Sequence, residues 1–343
     1  MTVRIGFCGT GGIASAHLKN VRTLHGAEIV GLFDTAPGQA DAAREMLAAQ
    51  PDAASKLAAT VYPSVASLIA DAGLDALYVC VPPFAHGEAE LQALDAGLAL
   101  YVEKPVALSA DVARQIAQAV RRTGVVTAVG YQLRYLPSVR RARELLAGQP
   151  IGMMIGHYLG GLPPTPWWRV MAQSGGQMVE QATHTVDMMR FLAGSEVTTV
   201  YAQYALQALG DQPGLDIPDV SALTLRFASG VVATLSASCL LGGGIARDLQ
   251  GVRVVGRDLL VHVAGAVPAS VRYADGRTAT LDEGGANALL LADTAFVDAV
   301  AADDPTAVLS PYADGARSAS ISWAANESAR TGHPVQVDLA AFA

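Results

Sequence analysis

Residues 3–8, VRIGFC, alternate in polarity and pass directly into Gly9-Thr10-Gly11-Gly12-Ile13-Ala14. A helical periodicity begins at once, with Ile13, Ala16, Val21 and Leu24 predicted on one face. This junction constrains the chain more than any other feature. Glycines between a strand and a helix allow a tight turn and a close backbone approach to a pyrophosphate, and the helix start aims amide N–H groups at it. The second strand, EIVGLFD over 28–34, ends in Asp34. A carboxylate there takes both hydroxyls of an adenosine ribose and repels a 2′-phosphate. Thr35-Ala36-Pro37-Gly38 offers no Arg or Lys to hold that phosphate, so the residues predict NAD in preference to NADP.

Strand and helix signals then alternate. Ala-rich helical stretches cover 39–50 and 64–72, and LDALYVCV at 74–81 is a continuous apolar strand closed by Pro82-Pro83. A helix at 86–96, the strand LALYVE, a helix at 110–123 capped by Ser109, and a strand at 125–130 follow. The pattern predicts a doubly wound parallel sheet, an α/β Rossmann domain over 1–128. Gly9, Asp34, Pro82 and Glu103-Lys104 all fall at carboxyl ends of strands, the ligand-binding edge of such sheets. From 129 to 343 the pattern changes. Strand signals dominate at 151–159, 197–206, 220–228, 231–239, 252–256, 259–263 and 269–281, with turns at 227–231 and 274–277. Helical stretches stand at 138–147, 175–193, 286–302 and 312–331. This half reads as an α+β domain, a mainly antiparallel sheet with helices on one face.

Composition closes off other classes. At about 100–200 residues per domain, 343 residues predict two domains. Apolar residues make up 51% and charged ones 16%, enough for large cores and against disorder. A net charge of -8 argues against a nucleic-acid or anionic-membrane partner, which needs a basic face. The longest charge-free stretches, 145–168 and 227–246, are broken by prolines and by Gly242-Gly243-Gly244, so neither predicts a membrane span. The first residues show no export signal, and Cys8, Cys80 and Cys239 form neither a disulfide framework nor a metal knuckle, which fits a cytoplasmic protein. Arginine is used almost everywhere a cation is needed: the lysines are only Lys19, Lys56 and Lys104.

Gly9–Ala14, Pro82-Pro83-Phe84-Ala85-His86 and Glu103-Lys104-Pro105 together resemble the glucose–fructose oxidoreductase/inositol dehydrogenase (Gfo/Idh/MocA) family. Gly130-Tyr131-Gln132-Leu133-Arg134, Trp168-Arg169, and Gly175-Gly176 leading to His184-Thr185-Val186-Asp187 extend the resemblance over nearly the whole chain. It implies a nicotinamide cofactor, an open-faced C-terminal sheet, a cis Lys104-Pro105 bond, and sugar, polyol or related hydroxyl substrates. It implies a catalytic Asp four residues before His184, where this chain has Glu180, and a third glycine where it has Gln177.

The residues carry a parallel argument. An ammonium ion shifts its pKa and passes a proton where a guanidinium does not, and this Arg-rich chain keeps a lysine at 104. Glu180, His184 and Asp187 are predicted at i, i+4 and i+7 on one helix face. His184 suits removal of a hydroxyl proton, Glu180 orients it or meets substrate, and Asp187 is structural. A metal reading of the three is rejected because no second histidine ligand is nearby. Gly9, Thr10, Gly11, Gly12, Ile13, Asp34, Pro82, His86, Glu103, Lys104, Trp168 and Arg169 are the expected cofactor contacts. Lys104, Tyr131, Arg134, His157, Glu180 and His184 are the expected substrate contacts. His17, His25, His262 and His333 are read as surface or packing residues.

The combined expectation is an NAD-dependent dehydrogenase of a secondary hydroxyl, with substrate held in an interdomain cleft. Its alternatives are an NAD-dependent glycosidase working by transient redox, and a non-catalytic dinucleotide- or sugar-sensing regulator. Too few helices remain to cover both faces of the second sheet, and its strands carry small neutral residues where a solvated face carries charge. A homodimer or homotetramer joined through that sheet is therefore expected.

Overall fold

A computed structural model describes residues 2–49, 59–242, 250–264, 267–282 and 284–342. Lys56, Gly243 and Gly244, named above, lie outside the described residues. The chain divides into two units, Met1–Gln132 with Asn287–Gly315, and Leu133–Ala286 with Ala316–Ala343.

The first unit is built on β1 (Val3–Cys8), β2 (Ala27–Phe33), β3 (Thr60–Val61), β4 (Ala76–Val79), β5 (Ala99–Val102) and β6 (Thr127–Val129). They pair in parallel in the order β3-β2-β1-β4-β5-β6, the doubly wound order that the alternation predicts. The helices are α1 (Gly12–Thr23), α2 (Gln39–Ala48), α3 (Val65–Asp71), α4 (Glu88–Asp95) and α5 (Ala110–Thr123). Both β4 and β5 read ALYV and are buried at all four positions, as strands covered on both faces must be. Strand order reverses at β1, so the crevice opens beyond the carboxyl ends of β1 and β4. The buried face of α1 is Ala14, His17, Leu18 and Val21, rotated from the expected stripe, and Ile13 is 41% exposed. The apolar periodicity misled there because a histidine occupies a core position.

The second unit carries β7 (Ile151–Leu159), β8 (Val197–Ala205), β9 (Val220–Phe227), β10 (Val232–Ser238), β11 (Gln250–Gly256), β12 (Leu259–Ala264), β13 (Val267–Tyr273), β14 (Thr278–Asp282) and β15 (Val335–Gln336). The sheet order is β14-β13-β12-β11-β7-β10-β9-β8-β15. Its pairings are antiparallel except β7 with β10. Both expected turns join hairpins, with Gly230 and Gly276 at φ 91° and 87°, where glycine avoids the Cβ clash. The first helices of this unit are α6 (Pro137–Leu146), α7 (Met171–Ser174), α8 (Gly176–Glu180) and α9 (Thr183–Ala193). A Cβ on Gly156 of β7 would lie 2.9 Å from Met189 Sδ and 3.0 Å from Thr185 Cγ2, so α9 presses directly on one sheet face. The opposite face alternates outward in β9 and β10, with Ala222, Thr224, Thr234 and Ser236 exposed and Val232 51% exposed.

The last two helices are α10 (Ala288–Ala302) and α11 (Tyr312–Thr331). The sequence assigns 286–302 to the second domain, yet α10 packs in the first unit. Its Phe296 is fully buried, edge-on to Tyr78 and Tyr101 at 5.4 Å each. Those two tyrosines stack at 4.5 Å, and Phe7 stacks on Tyr78 at 4.7 Å. The stretch 287–315 therefore completes the first hydrophobic core. The boundary at 128/129 gives way to a discontinuous first unit, because an apolar helix at 286–302 satisfies the periodicity of either domain.

Phe296→Ala should lower the stability of the first unit by about 3–5 kcal/mol, the usual cost of truncating a buried Phe. Urea unfolding followed by loss of NAD binding measures it, and a cost below about 1 kcal/mol contradicts the assignment of α10.

Candidate active site

The turn after β1 is built by packing. Gly9 has φ 87°, and a Cβ there would lie 2.3 Å from the Cys80 carbonyl oxygen. Only glycine lets the two strand ends approach this closely. Thr10 is buried, and its N–H and Oγ1 both donate to Asp34 Oδ2, at 2.7 and 3.0 Å. The Ala36 N–H donates to Asp34 Oδ1 at 2.8 Å. Asp34 is thus fixed beside the turn by three donors. Gly11 is the N-cap of α1, no side chain caps it, and a Cβ on Gly11 or Gly12 would meet nothing within 4 Å. The helix opens with bare N–H donors facing free space and with no acid in its first turn. That donor set fits a dinucleotide pyrophosphate, with Asp34 as the ribose acceptor.

Two further strand ends reach the same edge. After β4, Pro82 leads into a short 3-10 turn over Pro83–Ala85. His86 is buried there, with Nδ1 at 2.5 Å from Glu90 Oε1, while Glu90 Oε2 accepts the Gly87 N–H at 2.8 Å. After β5 comes Glu103-Lys104-Pro105, and the Lys104–Pro105 bond is cis as expected. Glu103 is buried, its Oε2 accepts the Lys104 N–H at 3.2 Å, and Lys104 is half-buried. A Cβ on Gly130 would sit 2.2 Å from Glu103 Oε1, so residue 130 must be glycine for the carboxylate to lie where it does. Tyr131, one residue on, is buried.

His17 is neither a surface residue nor simple packing. It is fully buried, with Nδ1 2.6 Å from Asp293 Oδ1 and Nε2 3.0 Å from Glu103 Oε1. Asn20 Nδ2 donates to the other Asp293 oxygen at 2.9 Å, and the Tyr78 hydroxyl donates to Oδ1 at 3.3 Å. Burial disfavours the charged imidazole, but the hydrogen bonds and charges of Asp293 and Glu103 outweigh it and raise the pKa from 6.5 to about 9. His17 is a buried cation at neutral pH. The sequence carried a signal for this: His17 and Asp293 are polar residues on otherwise apolar helix faces. His25 and His333 are exposed and His262 is half-buried, consistent with the expectation for those three.

In the second unit, the expected helix over 175–193 is broken. Its α8 ends at Glu180, the Gln181 and Ala182 N–H groups both bond the Gln177 carbonyl at 2.9 Å, and α9 restarts at Thr183. Glu180 and His184 therefore flank a break instead of sharing one continuous helix face. Gly175 and Gly176, at φ 73° and 77°, form the left-handed entry to α8. Gln177, in the third-glycine position, is buried within α8 and donates through Nε2 to Gln181 Oε1 at 3.3 Å. His184 is buried on α9, whereas Glu180 is half-buried.

The other expected contacts separate. Arg134 Nε and Nη2 pair with the two Asp187 oxygens at 2.8 and 2.5 Å, both residues are buried, and Ser318 Oγ adds a hydrogen bond to Asp187 at 2.5 Å. This bidentate pair lies within the second unit and fixes α9, which makes Asp187 structural as expected and occupies the Arg134 guanidinium. Trp168 is buried with Ile217 and Cys239 in a small cluster of its own. Arg169 is half-buried, and its Nε has no hydrogen-bond partner. His157 alternates on β7 with Gly156, so its side chain takes the face opposite α9. Its carbonyl nevertheless accepts Thr185 Oγ1 at 3.4 Å, one residue from His184.

The family is legible in sequence and structure together. Residues 3–131 match the model of the oxidoreductase family with an NAD-binding Rossmann fold, and residues 139–259 match the GFO/IDH/MocA C-terminal domain. The chain belongs to the Gfo/Idh/MocA family of oxidoreductases, and its first unit is an NAD-binding Rossmann domain. It is 30% identical over 205 residues to scyllo-inositol 2-dehydrogenase (NAD(+)) of Bacillus subtilis (strain 168), covering 58% of this chain and 56% of that protein. It is 29% identical over 245 residues to inositol 2-dehydrogenase of Rhizobium meliloti (strain 1021), covering 69% of each. The matched segment thus spans from just over half to about two thirds of these relatives. The fold is shared with levoglucosan dehydrogenase in complex with NADH at a TM-score of 0.85 and 21% identity, over 98% of this chain and 100% of that one.

NAD should bind at least tenfold more tightly than NADP, because Asp34 repels a 2′-phosphate and residues 35–38 hold no cation. Intrinsic fluorescence titration with both dinucleotides tests this, and tighter NADP binding refutes it.

Proposed function

We propose that this chain is an NAD-dependent dehydrogenase that moves a hydride between nicotinamide and a secondary hydroxyl or carbonyl of a sugar, cyclitol or related polyol. The observation that carries the reading is the placement of Lys104. It stands at the carboxyl end of β5, on the same sheet edge as the glycine turn, with its backbone held by a buried Glu103. The names of the inositol dehydrogenases that the chain resembles support the substrate class.

Bound NAD supplies the hydride acceptor. The chain does the rest. The amides at the start of α1 and the Asp34 carboxylate bind and orient the dinucleotide. The Lys104 ammonium stabilises the negative charge that develops on the substrate oxygen as the hydroxyl proton leaves, before the carbinol hydride departs and the carbonyl forms, a charge interaction that gains strength where water is excluded. His184 takes the hydroxyl proton. Glu180, beyond the break that precedes α9, orients His184 or receives a substrate hydroxyl. Arg134 serves by locking Asp187, and with it α9, instead of by touching substrate.

The open face of the second sheet suits a second copy of this chain. Ile155 and Val232 are 37% and 51% exposed beside the small, uncharged Ala222, Thr224, Thr234 and Ser236, with Arg253 and Arg226 as their paired neighbours. Two-fold pairing of one patch with itself is the commonest way to cover such a surface.

Lys104→Ala should fold and bind NAD yet lose about 10²–10⁴-fold in turnover, the usual weight of acid–base and charge assistance. A panel of sugars and cyclitols with NAD identifies the substrate on which to measure it, and near-normal turnover removes Lys104 from the reaction. Light scattering at micromolar concentration should return a multiple of the 35.4 kDa chain mass, whereas the chain mass itself would contradict self-association.

A further inference from the structure

The first unit contains a buried ionic chain that the proposed reaction does not use directly. It runs from Asp293 on α10 through His17 on α1 to Glu103, and from the second Glu103 oxygen to the backbone N–H of Lys104. Exposure is 0% at Asp293 and His17 and 3% at Glu103.

We propose that His17 is a positioning residue for Lys104: held between Asp293 and Glu103, it fixes the Glu103 carboxylate that in turn holds the Lys104 backbone. The inference rests on the reading of Lys104 as the group that acts on the substrate hydroxyl.

Three observations support it. First, the Glu103 carboxylate is located from three sides. His17 Nε2 stands 3.0 Å from Oε1, the Lys104 N–H donates to Oε2 at 3.2 Å, and Gly130 lies so close that a Cβ there would overlap the carboxylate. Removing the imidazole frees one of these restraints directly. Second, His17 cannot tilt to compensate. The rings of Tyr101 and Tyr78 stand edge-on to it at 5.0 and 5.4 Å, and its other nitrogen is tied to Asp293. Third, charge requires it. Glu103 and Asp293 are two carboxylates at a dry site with Tyr78, Tyr101, Asn20 and the Cys80 thiol around them, and the His17 imidazole stands between the two. A buried carboxylate deprived of its partner either takes up a proton or moves toward water. Either change alters the acceptor that holds Lys104.

The alternative is that His17 merely clamps α1 to α10. Lysine scarcity separates the two, because the chain has only three lysines, Lys19, Lys56 and Lys104. Reductive methylation with ¹³C-formaldehyde gives each a separate NMR signal, and Lys104→Arg identifies that of Lys104. Two variants are compared with the wild type, all without NAD. His17→Leu removes the bridge. Glu103→Asp keeps the charge for His17 but is one methylene too short to hold both His17 and the Lys104 N–H, and it serves as the test if His17→Leu does not fold. In a cooperatively folded variant, the Lys104 signal should shift toward that of free dimethyl-lysine and its titration midpoint should move by about half a unit or more. On the substrate from the panel, turnover per NAD-binding site should fall on the order of 10–100-fold, since small misplacement of a reacting group costs that much. In His17→Leu, a position that is not among the cofactor contacts, the Kd for NAD should stay within about threefold. A Lys104 signal and titration unchanged from wild type in a folded variant overturns the proposal and leaves His17 as a clamp. The function is read separately: addition of NAD to the wild type should move the Lys104 signal, and a silent lysine counts against the dehydrogenase reading without touching the outcome of the NAD-free comparison.

Discussion

A buried histidine between two carboxylates holds the first unit together beneath its cofactor-binding edge. Hydrophobic burial alone would close α10 over the stacked Phe7, Tyr78 and Tyr101, but it is non-directional and tolerates small slips. The bonds of His17 to Asp293 and Glu103, at 2.6 and 3.0 Å, are directional. They set the rotation of α1 about its axis and the approach of α10 to it. Buried ion pairs seldom add much net stability once desolvation is counted. What this one supplies is register: the start of α1, the end of β5 and a segment from far along the chain are fixed to one another by a single side chain.

Much of this was legible in the amino-acid order, and the limits have physical causes. The parallel sheet could be read because strands such as ALYV, buried on both faces, are continuously apolar. The glycine turn, Asp34 and the Glu103-Lys104-Pro105 segment could be read because their backbone demands allow few residues. The broken helix before His184 could not, because Gln181 and Ala182 are ordinary helix residues and only their surroundings divert them. Trp168 and Arg134 are expected ligand contacts from their place in the chain, and their protein partners are not legible there. The structure gives one to a small core and the other to Asp187, and no periodicity distinguishes those fates. His17 and Asp293 each show as a polar residue on an apolar helix face, but across 276 residues nothing in the sequence pairs the one with the other.

The two units place their restraints differently. In the first, the cofactor-binding edge is organised from beneath, by a polar cluster under the strand ends. In the second, His184 is organised from the side, by the pairing of Arg134 with Asp187 and by Ser318 Oγ on the same carboxylate. Both use a carboxylate as a bracket for backbone or helix, and both keep that carboxylate out of water. Substitutions at these brackets act on geometry before they act on charge.

The discontinuity of the first unit also has a meaning in time. A ribosome adding about 5–20 residues per second needs roughly 8–30 s to travel from the end of the first segment, at Gln132, to Asp293 and Phe296. Throughout that interval the emerged segment has its glycine turn and all six of its strands but lacks the aromatic lid and the counter-ion of His17. Its stacked tyrosines have one uncovered side, and its histidine has one carboxylate in place of two. Most of the cofactor domain is therefore made well before the short segment that completes it, and the bulk of the second unit, Leu133–Ala286, emerges in between.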